Sequence, residues 1–146
     1  MTVRISATPF EPLQELATAQ SGMPQLSGKA GASAIFIGAM RDFNDNDDVQ
    51  AMTLEHYPGM TERQLETILD ETRGQWPIID ALVIHRVGHV LPGDTLVLIA
   101  VWSAHRSAAF DACRHILEAL KSRAPFWKKE VLTNNDERWV EHNTPF

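Results

Sequence analysis

The chain has 146 residues, of which 44% are hydrophobic and 22% charged, and its formal net charge at pH 7 is −6. Such a composition is typical of one soluble globular domain, and no apolar run approaches the ~18 residues that would cross a bilayer. The acidic charge disfavours a general nucleic-acid binder, which needs a basic face. Because the start, MTVRISATPFEPL, has no apolar core of signal-peptide length, we expect a cytoplasmic protein. The single cysteine, Cys113, can form no internal disulfide, which agrees with a reducing compartment.

The first half of the chain predicts two helices and two strands. A short helix is expected in TPFEPLQELATA, with Thr8 as its N-cap. The apolar run 32–40 predicts a buried strand, the polar DFNDNDD that follows Arg41 predicts a solvated loop, and VQAMTLEHY predicts a second strand. Thr61 and Gln64 have the spacing of a capping box, so a second helix should begin there and end before Pro77.

The second half predicts two hairpins separated by a helix. The segments IIDALVIHRVGHV and DTLVLIAVW flank the turn residues LPGD, which is typical of an antiparallel hairpin. A third helix should run from about His105 to Ala124, because Pro125 prevents it from continuing. The ends of FWKKEVLTNNDERWVEH are strand-like around TNND. We therefore expect a single α+β domain over residues 1–146, with a mostly antiparallel sheet and about three helices.

Basic residues are concentrated in one segment. Residues 103–130 contain six Lys or Arg and three acidic residues, so this segment carries +3 and the remainder −9. In SAHRSAAF a strand leads into a helix, whose first N–H groups would stand beside His105 and Arg106. This junction could bind a phosphate or carboxylate; the alternative is that Ser103 or Ser107 only caps the helix.

The stretch KSRAPFWKKE holds three of the chain's four lysines. A reversal at Pro125 could bring Lys121 and Lys128 to one pocket, where two cations in a partly apolar site would lower each other's pKa. A lysine with a lowered pKa can act as a base, acid or nucleophile. The alternative is that these residues stabilise a helix C-terminus and that Phe126 and Trp127 belong to the core.

Three other features of the chain bear on possible binding sites. Arg41 follows an apolar strand and could contact an anion together with the backbone of Ala39 and Met40. His85 and His89 lack the third ligand that a zinc site needs, so we predict no metal. Cys113 falls on the inward stripe of its helix and is expected to be a core residue rather than a nucleophile.

Taken in order, several strings resemble the large, catalytic subunit of molybdopterin synthase: GAMRD, LEHYPGM, IHRVGHVLPGD, SAHRSAAF, LKSRAPFWKKE and RWVEH. The resemblance implies a sulfur transferase of molybdenum cofactor biosynthesis that converts cyclic pyranopterin monophosphate (precursor Z) into molybdopterin. It also implies an α/β hammerhead fold with a smaller antiparallel portion. The sulfur would arrive as a thiocarboxylate on the C-terminal Gly-Gly of a small ubiquitin-like subunit, and two small subunits would flank a central dimer.

The resemblance also implies roles for particular residues. Lys121 and Lys128 match the family's two important lysines, and we assign Lys121 to the partner's acyl terminus and Lys128 to proton transfer on the substrate. No metal or cofactor is expected. The positions that match substrate contacts are Ala39, Met40, Arg41, His105, Arg106, Lys121, Lys128, Lys129 and Glu130.

Two other functions fit the same residues. One is a lysine Schiff-base lyase acting on a phosphorylated carbonyl compound. The other is a non-catalytic module that binds a pterin or nucleotide, which would bind ligand without turnover.

Overall fold

The computed structural model describes residues 1–140, and they form two β-sheets and three α-helices. This architecture confirms the predicted α+β class. None of the helices within residues 1–140 is long and apolar enough to cross a membrane. In chain order the elements are β1 (Thr2–Ser6), α1 (Pro12–Ser21), β2 (Ala32–Ala39), β3 (Phe43–Asn44), β4 (Asp47–His56), α2 (Met60–Gln75), β5 (Ile78–Arg86), β6 (Gly88–Val90), β7 (Thr95–Ser103), α3 (Arg106–Arg123), β8 (Phe126–Leu132) and β9 (Glu137–Trp139).

The larger sheet has the strand order β1-β5-β7-β2. β1 pairs with β5 in parallel, whereas the β5–β7 and β7–β2 pairs are antiparallel. Helices α2 and α3 cover one face, where Leu65, Ile68 and Ile116 pack on the sheet, and α1 covers the other face over β5 and β7. Because both faces of β5 and β7 are covered, these strands read as continuous apolar runs.

The smaller sheet has the order β3-β4-β8-β9, with β6 also paired to β4. Side chains alternate across β8 because a strand has a period of two. Lys128 and Glu130 therefore lie on one face, and Trp127 and Lys129 on the other. The chain enters β8 directly from α3, and the Thr61 hydroxyl at the start of α2 donates a hydrogen bond to the carbonyl oxygen of Pro125 at this junction.

Two predicted helix starts were wrong. Helix α1 begins at Pro12 after an N-cap at Glu11, so Thr8 does not cap it. Helix α2 begins at Met60 with its N-cap at Gly59, two residues before the predicted Thr61, and the Glu62 carboxylate accepts a hydrogen bond from the backbone N–H of Gly59. The parallel strand β1 was not predicted at all.

Two further predictions were wrong in the region around β2. The strand is not buried on both sides, since Ile35 and Ile37 are 42% and 39% exposed. The stretch after Arg41 is mostly exposed, as predicted, but it forms a tight β3–β4 hairpin rather than a loop. Its turn residues, Asp45 and Asn46, both have positive φ (49° and 65°), as a two-residue hairpin turn requires.

Candidate functional site

A cavity of about 230 Å³ lies where the two sheets meet, beside the ends of β2 and α3. Six of the nine residues predicted to contact substrate line it: Ala39, Met40, Arg41, Lys121, Lys128 and Glu130. The sequence analysis did not identify the other lining residues, which are Phe43, Asn44, Met52, Leu96 and Val140. The cavity therefore combines a cationic wall with an apolar one.

The reversal at Pro125 brings the two predicted catalytic lysines together. Helix α3 ends at Arg123, and Ala124 is already extended with φ −74° and ψ 136°, as expected for a residue that precedes proline. β8 then starts at Phe126 and runs antiparallel to β4, with Lys128 opposite Leu54. Lys121 in the last turn of α3 and Lys128 on the inner face of β8 consequently line the same cavity.

The two lysines have lowered pKa values in this environment. The pKa of Lys128 falls from the ordinary 10.5 to about 8, first through desolvation and then through the charge of Lys121; Glu130 opposes the change and Arg41 adds to it. The pKa of Lys121 is lowered too, mainly by desolvation, although Glu118 opposes the change. Burial and like charges both favour the neutral amine. Near neutral pH, Lys128 can therefore exchange a proton readily.

Beside Lys128 on the same face of β8, a buried carboxylate supports the wall of the cavity. Glu130 is 5% exposed and accepts hydrogen bonds from Asn44 Nδ2 (3.1 Å) and Arg138 Nε (3.0 Å). Arg138 also bonds to Asp47 and to the Asn44 carbonyl oxygen, which joins the β3–β4 hairpin to β9. Glu130 thus supports the hairpin that forms this wall, in addition to partly balancing the charge of Lys128.

The β2 end contributes a fixed backbone and a guanidinium. The N–H of Met40 donates to the Asp94 carbonyl oxygen at 2.9 Å, and its own carbonyl oxygen accepts from Gly93 N–H at 2.8 Å. Arg41 then leaves the sheet, and its guanidinium carbon lies 4.9 Å from the centre of the Phe43 ring. The ring restricts the orientation of the guanidinium. A planar group held in this way can direct its N–H donors at the oxygens of a bound anion.

His85 is a further buried polar group beside this cluster. Its ring stacks on Phe126 with centroids 4.1 Å apart, and its Nδ1 lies 2.7 Å from the Arg86 carbonyl oxygen. Its pKa is lowered to about 4, first by burial and in smaller part by Lys128 and Lys121. A neutral imidazole therefore lies close to the two lysines. The sequence did not indicate this placement, because β5 and β8 are far apart in the chain.

Three predicted substrate contacts do not line the cavity within one chain. Lys129 faces the other side of β8, where its ammonium lies 2.8 Å from Glu137 and 5.6 Å from the Trp139 ring centre. His105 and Arg106 are exposed at the start of α3. Since Arg106 and Lys121 are separated by most of that helix, roughly 22 Å at 1.5 Å per residue, one small ligand cannot contact both within the same chain.

Neither a metal cluster nor a reactive thiol is found among residues 1–140. No three His, Cys, Asp or Glu side chains converge there as a cation site would require. Cys113 is buried, and burial raises the pKa of its thiol to about 11. The titratable side chains that line the cavity among the described residues are the amines of Lys121 and Lys128, the guanidinium of Arg41 and the carboxylate of Glu130.

Comparisons with known proteins agree with this geometry. The model of the MoaE protein family matches residues 5–123. A protein of Ralstonia nicotianae named molybdopterin synthase catalytic subunit is 51% identical over 140 residues, which cover 96% of this chain and 77% of that protein. The molybdopterin biosynthesis MoaE protein of Burkholderia ambifaria superposes with a TM-score of 0.80 at 43% identity, covering 99% of this chain and 92% of that one.

A more distant structure shares the fold. It is a chain in the complex of subunits 1 and 2 of the molybdopterin-converting factor from Helicobacter pylori, with a TM-score of 0.77, 20% identity, and coverage of 97% of this chain and 92% of that one. The matched family model spans most of the chain and includes β2, α2, β5, β7 and α3. On this basis the chain belongs to the MoaE protein family.

Proposed function

We propose that this chain is the catalytic subunit of a molybdopterin synthase and that the cavity described above is its active site. It would convert cyclic pyranopterin monophosphate into molybdopterin with sulfur delivered by a small partner subunit. The observation that carries the proposal is the convergence of Arg41, Lys121 and Lys128 on one cavity, with the pKa of Lys128 lowered to about 8. Membership of the MoaE family and the name of the Ralstonia relative support the assignment.

The substrate's phosphate matches the cationic wall. Arg41 offers a planar guanidinium and Lys121 an ammonium, and both are suited to phosphate oxygens and to the negative charge that develops when the cyclic phosphate opens. The apolar side chains of Met52, Leu96 and Val140 line the same cavity and could contact the flat pterin. The cavity thus has separate places for the charged and the aromatic parts of such a substrate.

Lys128 is the stronger candidate for proton transfer. Its lowered pKa lies near the working pH, where a group can both take up and release a proton efficiently. Expulsion of a substrate oxygen as water needs such a proton donor. Lys128 must then take up a new proton before the second sulfur transfer can occur. Lys121 is more open to solvent, which fits contact with the acyl terminus of an incoming partner. We therefore keep the assignment of Lys121 to the partner's terminus.

The sulfur donor would be the thiocarboxylated C-terminus of a small ubiquitin-like subunit. Its negative charge would be attracted to the cationic wall, and its Gly-Gly tail is slender enough to enter beside the exposed Lys121. The thiocarboxylate sulfur would attack a carbon of the pterin side chain as that carbon loses its oxygen, and water would then hydrolyse the acyl–sulfur bond, leaving the sulfur on the pterin and releasing the partner with a carboxylate terminus. A fresh partner would deliver the second sulfur in the same way. This scheme needs no nucleophilic cysteine in the catalytic chain, in keeping with the buried Cys113 and its raised pKa.

We also propose a dimer, flanked by two small subunits, in which His105 and Arg106 serve the site of the neighbouring copy. Both side chains are exposed at a helix N-terminus, a position suited to anions. They are too far from Lys121 to act on the same ligand within one chain. A second copy could supply them. Lys129 stays a predicted substrate contact, and a cytoplasmic location stays part of the proposal.

Reconstitution tests this function directly. The chain is mixed with precursor Z and a thiocarboxylated small subunit, and molybdopterin is measured. We expect product with the unaltered chain and the loss of most turnover in Lys121→Ala and in Lys128→Ala, whereas Lys29→Ala, which changes an exposed lysine in the loop before β2, retains it. Absence of product with a small subunit that is active with another family member would overturn the proposal.

The second candidate function, a Schiff-base lyase, would use the same lysines and can be tested by trapping a lysine adduct. A neutral Lys128 amine is nucleophilic enough to condense with a carbonyl group, so the lowered pKa also favours this second candidate. Borohydride reduction in the presence of phosphorylated carbonyl compounds would trap an adduct on Lys128 if the lyase were correct. We expect no such adduct, and molybdopterin formation should remain unaffected by the presence of these compounds.

A further inference from the structure

The two lysines of the cavity lie on elements that are joined by a very short connection. Lys121 is in the last turn of α3 and Lys128 is in β8, and only residues 124 and 125 separate the two elements. These residues, together with Phe126, are here called the hinge. Pro125 has no N–H, so it cannot donate a hydrogen bond that would fix a regular turn. The angle between α3 and β8 therefore depends on contacts of the hinge with the rest of the chain.

One side chain of α2 bonds directly to the hinge. Thr61 is fully buried, and its hydroxyl donates to the Pro125 carbonyl oxygen at 3.2 Å. The same hydroxyl oxygen accepts the backbone N–H of Tyr57 at 3.1 Å, and the Tyr57 carbonyl oxygen accepts the N–H of Thr61 at 2.9 Å. Tyr57 directly follows β4, the strand that pairs with β8. One hydroxyl group thus joins the start of α2, the end of β4 and the hinge.

A second contact holds the ring of Phe126. This residue begins β8 on the same face as Lys128, and it packs against the cores of both sheets. Its ring stacks on His85 with an interplanar angle of 19°, and the bond between His85 Nδ1 and the Arg86 carbonyl oxygen restricts the imidazole. Because the pKa of His85 is lowered to about 4, the imidazole adds no positive charge beside the lysines near neutral pH.

We infer that Thr61 is a positioning residue, whose bond to the hinge, together with the stacking of His85 on Phe126, holds Lys121 and Lys128 in one cavity. The inference rests on the proposed function, because it concerns the lysines that we assign to sulfur transfer. The described lining of the cavity includes neither Thr61 nor His85, so both act through the hinge and not on the substrate. Since the lysines lie on either side of the hinge, a rotation there changes the distance between them.

The charges around Lys128 make its pKa a measure of this arrangement. Desolvation lowers that pKa most, Lys121 on α3 and Arg41 after β2 lower it further, and Glu130 on β8 opposes the change. A looser hinge would admit water and let Lys128 move away from Lys121. Both changes raise the pKa of Lys128 from about 8 towards its ordinary 10.5. This pKa can therefore report on the hinge without an enzymatic assay.

NMR of the chain labelled with ¹³C at the lysine Cε atoms measures this pKa. The chain has four lysines, so each resonance can be assigned by replacing one lysine at a time with arginine. Thr61→Val keeps the shape of the side chain but removes the hydroxyl, and we expect it to raise the pKa of Lys128 by about 0.5 or more. Thr61→Ser keeps the hydroxyl and should stay within about 0.2 of the wild-type value. Lys129, which faces the other side of β8, should titrate alike in all variants.

Thr72→Val is the matched control. Thr72 is also fully buried on α2, but its hydroxyl donates to the Ile68 carbonyl oxygen of the same helix at 2.7 Å. Urea denaturation should show that both valine variants are folded and similarly destabilised, whereas only Thr61→Val should change the pKa of Lys128. An equal change in Thr72→Val, or no change in Thr61→Val, would overturn the inference.

Phe126→Leu disturbs the same hinge independently, and it keeps the inference testable if Thr61→Val does not fold. Leucine preserves an apolar side chain but removes the ring that stacks on His85. The pKa of Lys128 should rise in this variant as well, because the hinge loses its second contact. An unchanged pKa in folded Phe126→Leu would contradict the inference.

Steady-state kinetics test the consequence for the proposed function. In Thr61→Val, kcat should fall about tenfold while KM changes less than about twofold, because Lys128 is displaced from its place in proton transfer whereas Arg41 can still bind the phosphate. Thr61→Ser should recover at least about half of kcat. A wild-type kcat in Thr61→Val would refute the positioning role. If the unaltered chain has no activity, the proposed function fails, but the pKa measurements still decide whether Thr61 holds the two lysines together.

Discussion

Replacing Lys128 by methionine should stabilise the fold while abolishing sulfur transfer. The ammonium of Lys128 is held in a partly buried cavity beside Lys121 and Arg41, which lowers its pKa from 10.5 to about 8. The folded state therefore holds this charge at a free-energy cost at neutral pH. Methionine has a similar length and no charge, so it removes the cost and can pack against Met52 and Leu96.

The magnitude follows from the pKa. A fall from 10.5 to about 8 corresponds to roughly 3 kcal/mol, at about 1.4 kcal/mol for each pH unit. Water reaches part of the cavity and the substitution also removes the attraction of Glu130, so we expect a gain of about 1–3 kcal/mol in the free energy of unfolding. For a chain of this length, that gain raises Tm by about 2–10 °C.

The gain should depend on pH in a defined direction. Below about pH 8, Lys128 is protonated in both the folded and the unfolded wild type, so the difference between wild type and variant is largest. Between about pH 8 and 10.5 the folded wild type has released a proton that the unfolded chain retains. Wild-type stability then rises with pH relative to the variant, and the gain shrinks.

Urea denaturation of wild type and variant at pH 7 and at pH 10 measures both effects. Lys29→Met makes the same change at an exposed lysine and should alter stability by less than about 0.5 kcal/mol. A Lys128→Met variant less stable than wild type at pH 7 would refute the reasoning. So would a gain of the same size at both pH values, because the stabilisation would then not arise from the charge.

Three further predictions test other parts of the site and fold. Lys128→Arg keeps the positive charge but cannot lose its proton, so kcat should fall about 10²-fold or more with a much smaller change in KM, and any kinetic limb near pH 8 should vanish from the pH profile. Glu130→Ala removes a buried carboxylate bonded to an asparagine and an arginine, which should cost about 1–3 kcal/mol in urea denaturation; an unchanged midpoint would contradict its role in holding the β3–β4 hairpin. Gly31→Ala would place a Cβ in steric conflict with the Ala104 carbonyl oxygen and should lower Tm, whereas Gly74→Ala, with nothing within 4 Å, should raise it by a small amount; equal effects would exclude the steric explanation.

Much of the fold was predictable because local patterns determine it. The apolar runs predicted the antiparallel pairing of β5 with β7, and Pro125 predicted the end of α3. The prediction of one continuous strand up to LPGD was wrong, because β5 ends at Arg86 and β6 pairs with β4 in the smaller sheet. The elements that escaped prediction have weak local signals. β1 is five residues long and is stabilised by parallel pairing with β5, a partner about 80 residues away in the chain. The β3–β4 turn was concealed in a run of Asp and Asn residues that reads equally well as a solvated loop.

By itself, the sequence determined which chemical groups this protein brings to its function. Residue type and position made Lys121, Lys128 and Arg41 candidates, the resemblance favoured them over a purely structural role, and the cavity contains all three. Only the tertiary structure decided which of the predicted groups meet. Lys129 is turned away from the cavity because adjacent residues of a strand face opposite sides, whereas His85 is placed near the lysines by the packing of β5 against Phe126. His105 and Arg106 are separated from the lysines by the length of α3. This distance depends on the helix and its neighbouring strand being fixed in space, so the order of residues along the chain does not reveal it.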